Sequence, residues 1–79
     1  MKPLVYYCRW QGAALRLRGR DDTAVWGALV FVSENGDETT KPFHFNLQTR
    51  QLTLTHPGGG QLLQLDDMGV VVDRQEIEH

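Results

Sequence analysis

Residues 48–74 read QTRQLTLTH PGGGQLLQL DDMGVVVDR, three consecutive units of nine residues. Each unit has four residues typical of turns followed by five typical of strands. Side chains alternate between the two faces of a strand, so pairing across four-residue loops places one apolar row on a single face. In this register Leu54 lies opposite Phe45 on one side and Leu63 on the other. The stretch therefore predicts an antiparallel meander.

The second loop of this register is Pro57–Gly60, which together with His56 resembles two phosphate- or oxyanion-binding motifs in its letters. A P-loop needs Gly-Lys-Ser/Thr at the start of a helix, whereas Gly60 precedes Gln-Leu-Leu-Gln. An HGGG-type oxyanion loop serves a G-x-S-x-G nucleophile elbow, and the chain has no such motif. We interpret the glycines as a tight reversal, although one turn does not require three of them.

The N-terminal residues also alternate in polarity. Gln11-Gly12 stands between two alternating runs, residues 4–10 and 13–19, and predicts the two-residue turn of a first hairpin. In that hairpin one face carries Leu4, Tyr6, Cys8 and Trp10, and the other face carries Val5, Tyr7 and Arg9.

Residues 24–32 are apolar on both faces and allow two interpretations. One is a central strand, which the β-branched residues and the interior Gly27 favour. The other is a helix of about ten residues capped by Asp21 or Asp22. Asn35-Gly36 follows and predicts a hairpin turn.

These patterns predict a mainly β fold, a small antiparallel meander of about six or seven short strands forming a curved sheet or a small barrel. The alternative is an α+β fold with one helix near residues 21–32. We expect a single domain over residues 1–79, with an ordered core at about 3–73 and a mobile C-terminal tail at 74–79.

Length and composition limit the possible functions. A chain of 79 residues buries roughly 60% of its unfolded surface on folding, which leaves little room for a large enclosed active site. The chain lacks the pattern of a signal peptide and has no apolar run of membrane-spanning length, so we expect a cytoplasmic protein without a membrane partner. Cys8 is the only cysteine, which excludes an internal disulfide and a cysteine zinc cluster.

Charge is distributed unevenly. The net charge is −2, yet residues 1–20 contain bases and no acid, while residues 21–38 contain acids with no base. In the predicted first hairpin, Tyr7, Arg9, Arg16 and Arg18 share one exposed face. An aromatic ring among guanidinium groups is the combination that stacks a base and holds a phosphate, so these four residues form the candidate binding site.

The same face has two other interpretations. A solvated strand face with a cross-strand cation–π pair between Tyr7 and Arg16 accounts for the pattern without any ligand. Contact with an acidic partner, such as residues 21–38 of a second copy, is the other. We expect a non-enzymatic binding or protein–protein interaction domain that can self-associate through an edge strand. Binding of single-stranded nucleic acid or an anion is the alternative.

We expect no catalytic site, metal site or cofactor. Asp66-Asp67 precedes Met68-Gly69, where a turn favours Asp followed by Gly. Cys8 falls on an apolar face that disfavours a thiolate. His44 and His56 point to opposite faces of the predicted sheet, and His79 is terminal, so the histidines do not form a ligand set. Since no nucleophile, base and stabiliser can be assembled, we do not expect an enzyme.

Overall fold

The computed structural model describes residues 3–56 and 58–78. It has one helix followed by six strands in a single sheet of order β1-β2-β3-β4-β5-β6, every neighbouring pair antiparallel. This confirms the mainly β meander, and the sheet is an open one, since β1 pairs only with β2 and β6 only with β5. The elements are α1 (Pro3–Gln11), β1 (Ala13–Arg20), β2 (Ala24–Val32), β3 (Glu38–Asn46), β4 (Gln51–His56), β5 (Gly59–Leu65) and β6 (Val71–Glu78).

The predicted apolar row forms the core. We call the face of the sheet that α1 covers the inner face and the opposite one the outer face. The fully buried inner-face side chains are Phe45, Leu29, Leu52, Leu63 and Leu65. The register differs from the expected one by two residues, because Leu54 pairs with Phe43 and Leu63 with Leu52. A change of register by an even number of residues keeps every side chain on the same face of the sheet. The sequence therefore predicts the core residues of these strands even though it predicts the wrong pairing partners.

Pro57 lies outside the described residues, but the expected four-residue loop to Gly60 is wrong, because β5 already begins at Gly59. Gly60 pairs with Thr55 inside the β4/β5 ladder, and a Cβ atom there would lie 2.5 Å from the carbonyl oxygen of Leu54. Gly58 has a φ of +86°. The run of glycines thus serves a positive φ at the turn and, separately, a close approach of backbone to backbone inside the strand.

The N-terminal segment is the helix α1 and not a strand, so the predicted hairpin about Gln11-Gly12 is wrong. Leu4, Tyr7 and Cys8 are spaced i, i+3, i+4 and are buried against the sheet. Gly12 has a φ of +74° and donates its N–H to the Arg9 carbonyl, 3.2 Å away, which ends the helix. The apolar inner face needs a covering layer, and a helix with an apolar stripe supplies it.

Residues 24–32 form strand β2, so the alternative helix near residues 21–32 is excluded. Leu29 is buried on the inner face and Ala28 and Val30 on the outer face, where Trp26 and Val32 are exposed. The Asp21 carboxylate does not cap a helix but accepts hydrogen bonds from Thr23 and Ala24 in the β1/β2 turn, at 2.7 to 2.9 Å. The first hairpin is therefore β1/β2.

Two further expectations concern the ends of strands. Asn35-Gly36 lies in the β2/β3 turn, as predicted, where Gly36 has a φ of +87° and donates to the Ser33 carbonyl. Strand β6 extends to Glu78, well past the expected boundary near residue 73, because residues 74–77 pair with β5. His79 lies outside the described residues.

Candidate functional site

The four residues of the predicted binding site do not share a face. Tyr7 is 6% exposed in the core, whereas Arg9 is exposed on α1. Burial raises the pKa of the Tyr7 phenol, with the positive charge of Arg74 opposing the shift. Arg16 and Arg18 are exposed on β1, the strand predicted for them. The structure therefore brings together two of the four.

A different aromatic residue lies beside these arginines. Arg16 pairs with Ala28 and so belongs to the outer face, and Arg18 lines a shallow outer-face depression together with Trp26. The Trp26 ring stacks on His44 with a centroid separation of 6.3 Å and an interplanar angle of 9°. A Cβ atom at Gly19 would lie 2.7 Å from the Trp26 ring, so this glycine makes the room for it. The predicted hairpin places Tyr7 opposite Arg16, whereas in the structure the aromatic residue on this face is Trp26, beside Arg18.

Strand β1 forms a basic edge of the sheet. It carries Arg16, Arg18 and Arg20 with no acid, and all three side chains are exposed. A bulge between Leu17 and Gly19 interrupts its pairing with β2. Because β1 pairs on one side only, the outward row of its N–H and C=O groups has no neighbouring strand in the described part of the chain.

Strand β6 forms an acidic edge on the opposite side. Its sequence, VVDRQEIE, contains Asp73, Glu76 and Glu78 against a single base, Arg74. The Glu76 carboxylate accepts a 2.9 Å hydrogen bond from Gln61 on the neighbouring strand, which keeps it on the sheet surface. The two open edges of one molecule therefore carry opposite charge.

The carboxylates and the thiol considered as catalytic groups have structural roles. Asp66 accepts hydrogen bonds from the N–H groups of Met68 and Val70, as the turn interpretation predicts. Asp67 forms an ion pair with Arg50. Cys8 is buried, and burial raises the pKa of its thiol to about 11, which disfavours the nucleophilic thiolate.

Among residues 3–56 and 58–78, no group of three or more His, Cys, Asp or Glu side chains is placed to hold a metal ion. His44 pairs with Thr53 on the outer face, and His56 has the opposite parity along β4. These two histidines therefore lie on opposite faces of the sheet, as the alternation predicts.

No protein-family model, curated protein or solved structure matches the chain. In the described part of the chain, no helix has the length and apolar character needed to cross a membrane. The function must therefore be inferred from the chemistry of the surfaces themselves.

Sequence reasoning missed the acidic edge because it predicts a tail at residues 74–79, which include Glu76 and Glu78. The third nine-residue unit already predicts a strand over residues 70–74, and Ile77 is the apolar residue that signals its continuation. The basic strand β1 was not expected to be an edge strand, because the predicted hairpin pairs residues 4–10 with it. Only the helical state of that segment leaves β1 without a second neighbour.

Proposed function

We propose that this chain is a non-enzymatic interaction domain that self-associates by pairing the basic edge β1 of one copy with the acidic edge β6 of the next. The observation that carries the proposal is the opposite charge of the two open edges. Edge strands offer backbone donors and acceptors to a further strand, and complementary charges select which strand is accepted.

The strand directions suit this arrangement. In a six-stranded antiparallel meander, β1 and β6 run in opposite directions. When two copies stand side by side in the same orientation, β6 of one is antiparallel to β1 of the other. The sheet then continues across the contact without a break in its alternation, and α1 of each copy stays on the same face.

Charge also disfavours the other possible edge contacts. Pairing β1 with β1 would place Arg16 and Arg18 of two copies against each other, and pairing β6 with β6 would oppose the acids. The favoured contact is therefore heterologous, and repetition of a heterologous contact gives a closed ring or an open chain of copies.

The first test measures association directly. Sedimentation velocity from micromolar to millimolar concentration should show a sedimentation coefficient that rises with concentration at low salt and less so at high salt. Arg16→Glu/Arg18→Glu should remain monomeric, because it makes both edges acidic. Arg9→Glu/Lys41→Glu changes the net charge equally, away from both edge strands, and should associate like the wild type.

A charge exchange between strands is the decisive control. Asp73→Lys/Glu76→Lys makes both edges basic and should also be monomeric. Mixing it with Arg16→Glu/Arg18→Glu restores opposite charges at both contacts and should restore association. A wild-type chain that is monomeric at every concentration, or a mixture that does not associate, contradicts the proposal.

Binding of single-stranded nucleic acid is a second candidate, favoured by the outer-face placement of Trp26 beside Arg18. A base can stack on an exposed indole while a guanidinium group binds the adjacent phosphate. Labelled single-stranded DNA and RNA would be titrated at low and moderate salt with wild type, Trp26→Ala and Arg16→Ala/Arg18→Ala. Trp10→Ala, on α1, is the matched control. Absence of binding by the wild type at low salt, or equal binding by Trp26→Ala, contradicts this candidate.

A further inference from the structure

The single helix is too small to cover the inner face of the sheet. Six strands at about 4.8 Å spacing span about 24 Å, whereas a helix with its side chains is about 10–12 Å wide. At the end of the sheet where β1 finishes, the uncovered part is still apolar: Leu17 is 54% exposed and Leu47 is 40% exposed. Leu17 lies opposite Gly27, which has no side chain to cover it.

This uncovered region is a cavity of about 610 Å³ beside the first turn of α1. Small-molecule sites commonly measure about 300–1,000 Å³ and are lined mainly by apolar groups with a few polar ones. The cavity meets both conditions. Its lining is mainly apolar, with Leu15, Leu17 and Val25 on neighbouring strands, and includes three charged side chains, Arg20, Arg50 and Asp67.

The charges of the lining leave one cation uncompensated. Arg50 and Asp67 form an ion pair with each other. Arg20 forms no ion pair within the described part of the chain. Of the acids that follow it, Asp21 directs its carboxylate to Thr23 and Ala24. The cavity therefore combines a large apolar surface with one guanidinium group that can donate hydrogen bonds to an anion.

We infer that this cavity binds an amphipathic carboxylate, with an elongated apolar body against Leu15, Leu17 and Val25 and its single carboxylate on Arg20. Burial of the apolar body removes from water the surface of Leu17 and Leu47 that the helix leaves open. The ligand carboxylate forms an ion pair with Arg20. A cation of the same chain length has no such partner, because the one acid of the lining already pairs with Arg50.

The probe for this inference is decanoate, with decyltrimethylammonium and acetate as comparisons. Isothermal titration calorimetry should show saturable binding of one decanoate per chain, about tenfold weaker binding of the cation, and no measurable binding of acetate, which lacks the apolar body. Amide shifts in ¹H–¹⁵N spectra should change at the cavity lining. Absence of saturable decanoate binding, equal binding of the cation, or shifts confined to other parts of the chain would overturn the inference.

Variants test the contributions of the arginine and of the apolar surface to ligand binding independently. Arg20→Gln should weaken decanoate binding about tenfold, the loss expected for one charge-assisted hydrogen bond. Arg18→Gln is the matched control, since Arg18 belongs to the same strand but lines the outer face, and its affinity should be unchanged. Leu17→Glu or Leu47→Glu should weaken binding at least tenfold, and circular dichroism verifies that each exposed-site variant is folded. Equal binding by Arg20→Gln or by both glutamate variants would overturn the assignment.

A second copy of the chain is the competing occupant. Binding is therefore measured in the Asp73→Lys/Glu76→Lys background, which removes the edge contact, keeps Arg18 for the control variant and leaves the cavity lining intact. If that background still self-associates and Leu17→Glu makes it monomeric, the cavity is a protein contact and the ligand inference is wrong. Failure of the edge proposal alone leaves decanoate binding unaffected, so the two results are distinguishable.

Discussion

The neighbouring residues Tyr6 and Tyr7 provide a test of how α1 is held against the sheet. Tyr7 is buried, whereas Tyr6 is 42% exposed. A strand over residues 4–10 would give the opposite arrangement, with Tyr6 on the apolar face. We therefore expect Tyr7→Ala to destabilise the fold strongly and Tyr6→Ala to have a small effect, although both remove the same side chain.

The magnitude follows from the buried area. A buried aromatic side chain removes about 150–250 Å² from water, which at about 25 cal/mol per Å² corresponds to about 4–6 kcal/mol. Comparable aromatic-to-alanine changes in cores cost about 3–5 kcal/mol. Tyr7→Ala should lower the free energy of unfolding by about that amount, and Tyr6→Ala by less than about 1 kcal/mol. A domain of 79 residues has about 4–12 kcal/mol in total, so Tyr7→Ala removes much of its stability.

The assay is urea unfolding monitored by the fluorescence of Trp10 and Trp26, which both variants retain. Tyr7→Leu, which keeps most of the apolar contact, should fall between wild type and Tyr7→Ala and gives a folded variant if the alanine variant is unfolded. Equal effects at the two positions, or a larger loss at Tyr6, would refute the docking of α1 through Tyr7.

Three further predictions concern particular side chains. Because burial raises the pKa of Cys8 from 9.0 to about 11, the native thiol should react with Ellman's reagent at pH 8 about a hundredfold more slowly than the urea-unfolded chain, and stability should fall as the pH rises from 9 to 11; equal rates contradict this. Gly60→Ala should cost about 1–3 kcal/mol in urea unfolding, because its Cβ would meet the Leu54 carbonyl, whereas Thr55→Ala at the paired exposed position should be nearly neutral. Hydrogen bonds from Thr23 and Ala24 lower the pKa of Asp21 below 3.8, so its stabilising effect is present above that pH and is lost as the pH falls through the lowered value. Melting temperatures of wild type and Asp21→Ala should therefore converge in acid, and parallel curves would show that these hydrogen bonds do not stabilise the fold.

The candidate site was predictable only in part. The exposure of Arg16 and Arg18 on a strand follows from alternation, which is a local property. The identity of the aromatic residue beside Arg18 does not, because it depends on which segment pairs with β1. That partner is β2, which places Trp26 there, and residues 4–10 lie across the inner face instead.

The helix shows why residues 4–10 were ambiguous. Leu4, Tyr6 and Cys8 fit a period of two, and Leu4, Tyr7 and Cys8 fit a helical period equally well. The arrangement of Pro3 at the start of the helix and Gly12 just after its end was the available signal. Short apolar runs leave this choice to tertiary contacts, and here the inner face of the sheet favours the helix by burying its stripe.

The sequence by itself determined the inner-face row of β3 to β5, because alternation assigns each side chain to a face whatever the register. The tertiary structure decided the helical state of residues 3–11, the two-residue shift in register, and the strand state of Gly59 and Gly60. Each of these depends on atoms distant in the chain, as with the Leu54 carbonyl that excludes a side chain at Gly60. The open edges and the cavity arise in the same way. One short helix covers part of the inner face, and among residues 3–56 and 58–78 no further strand pairs with β1 or β6.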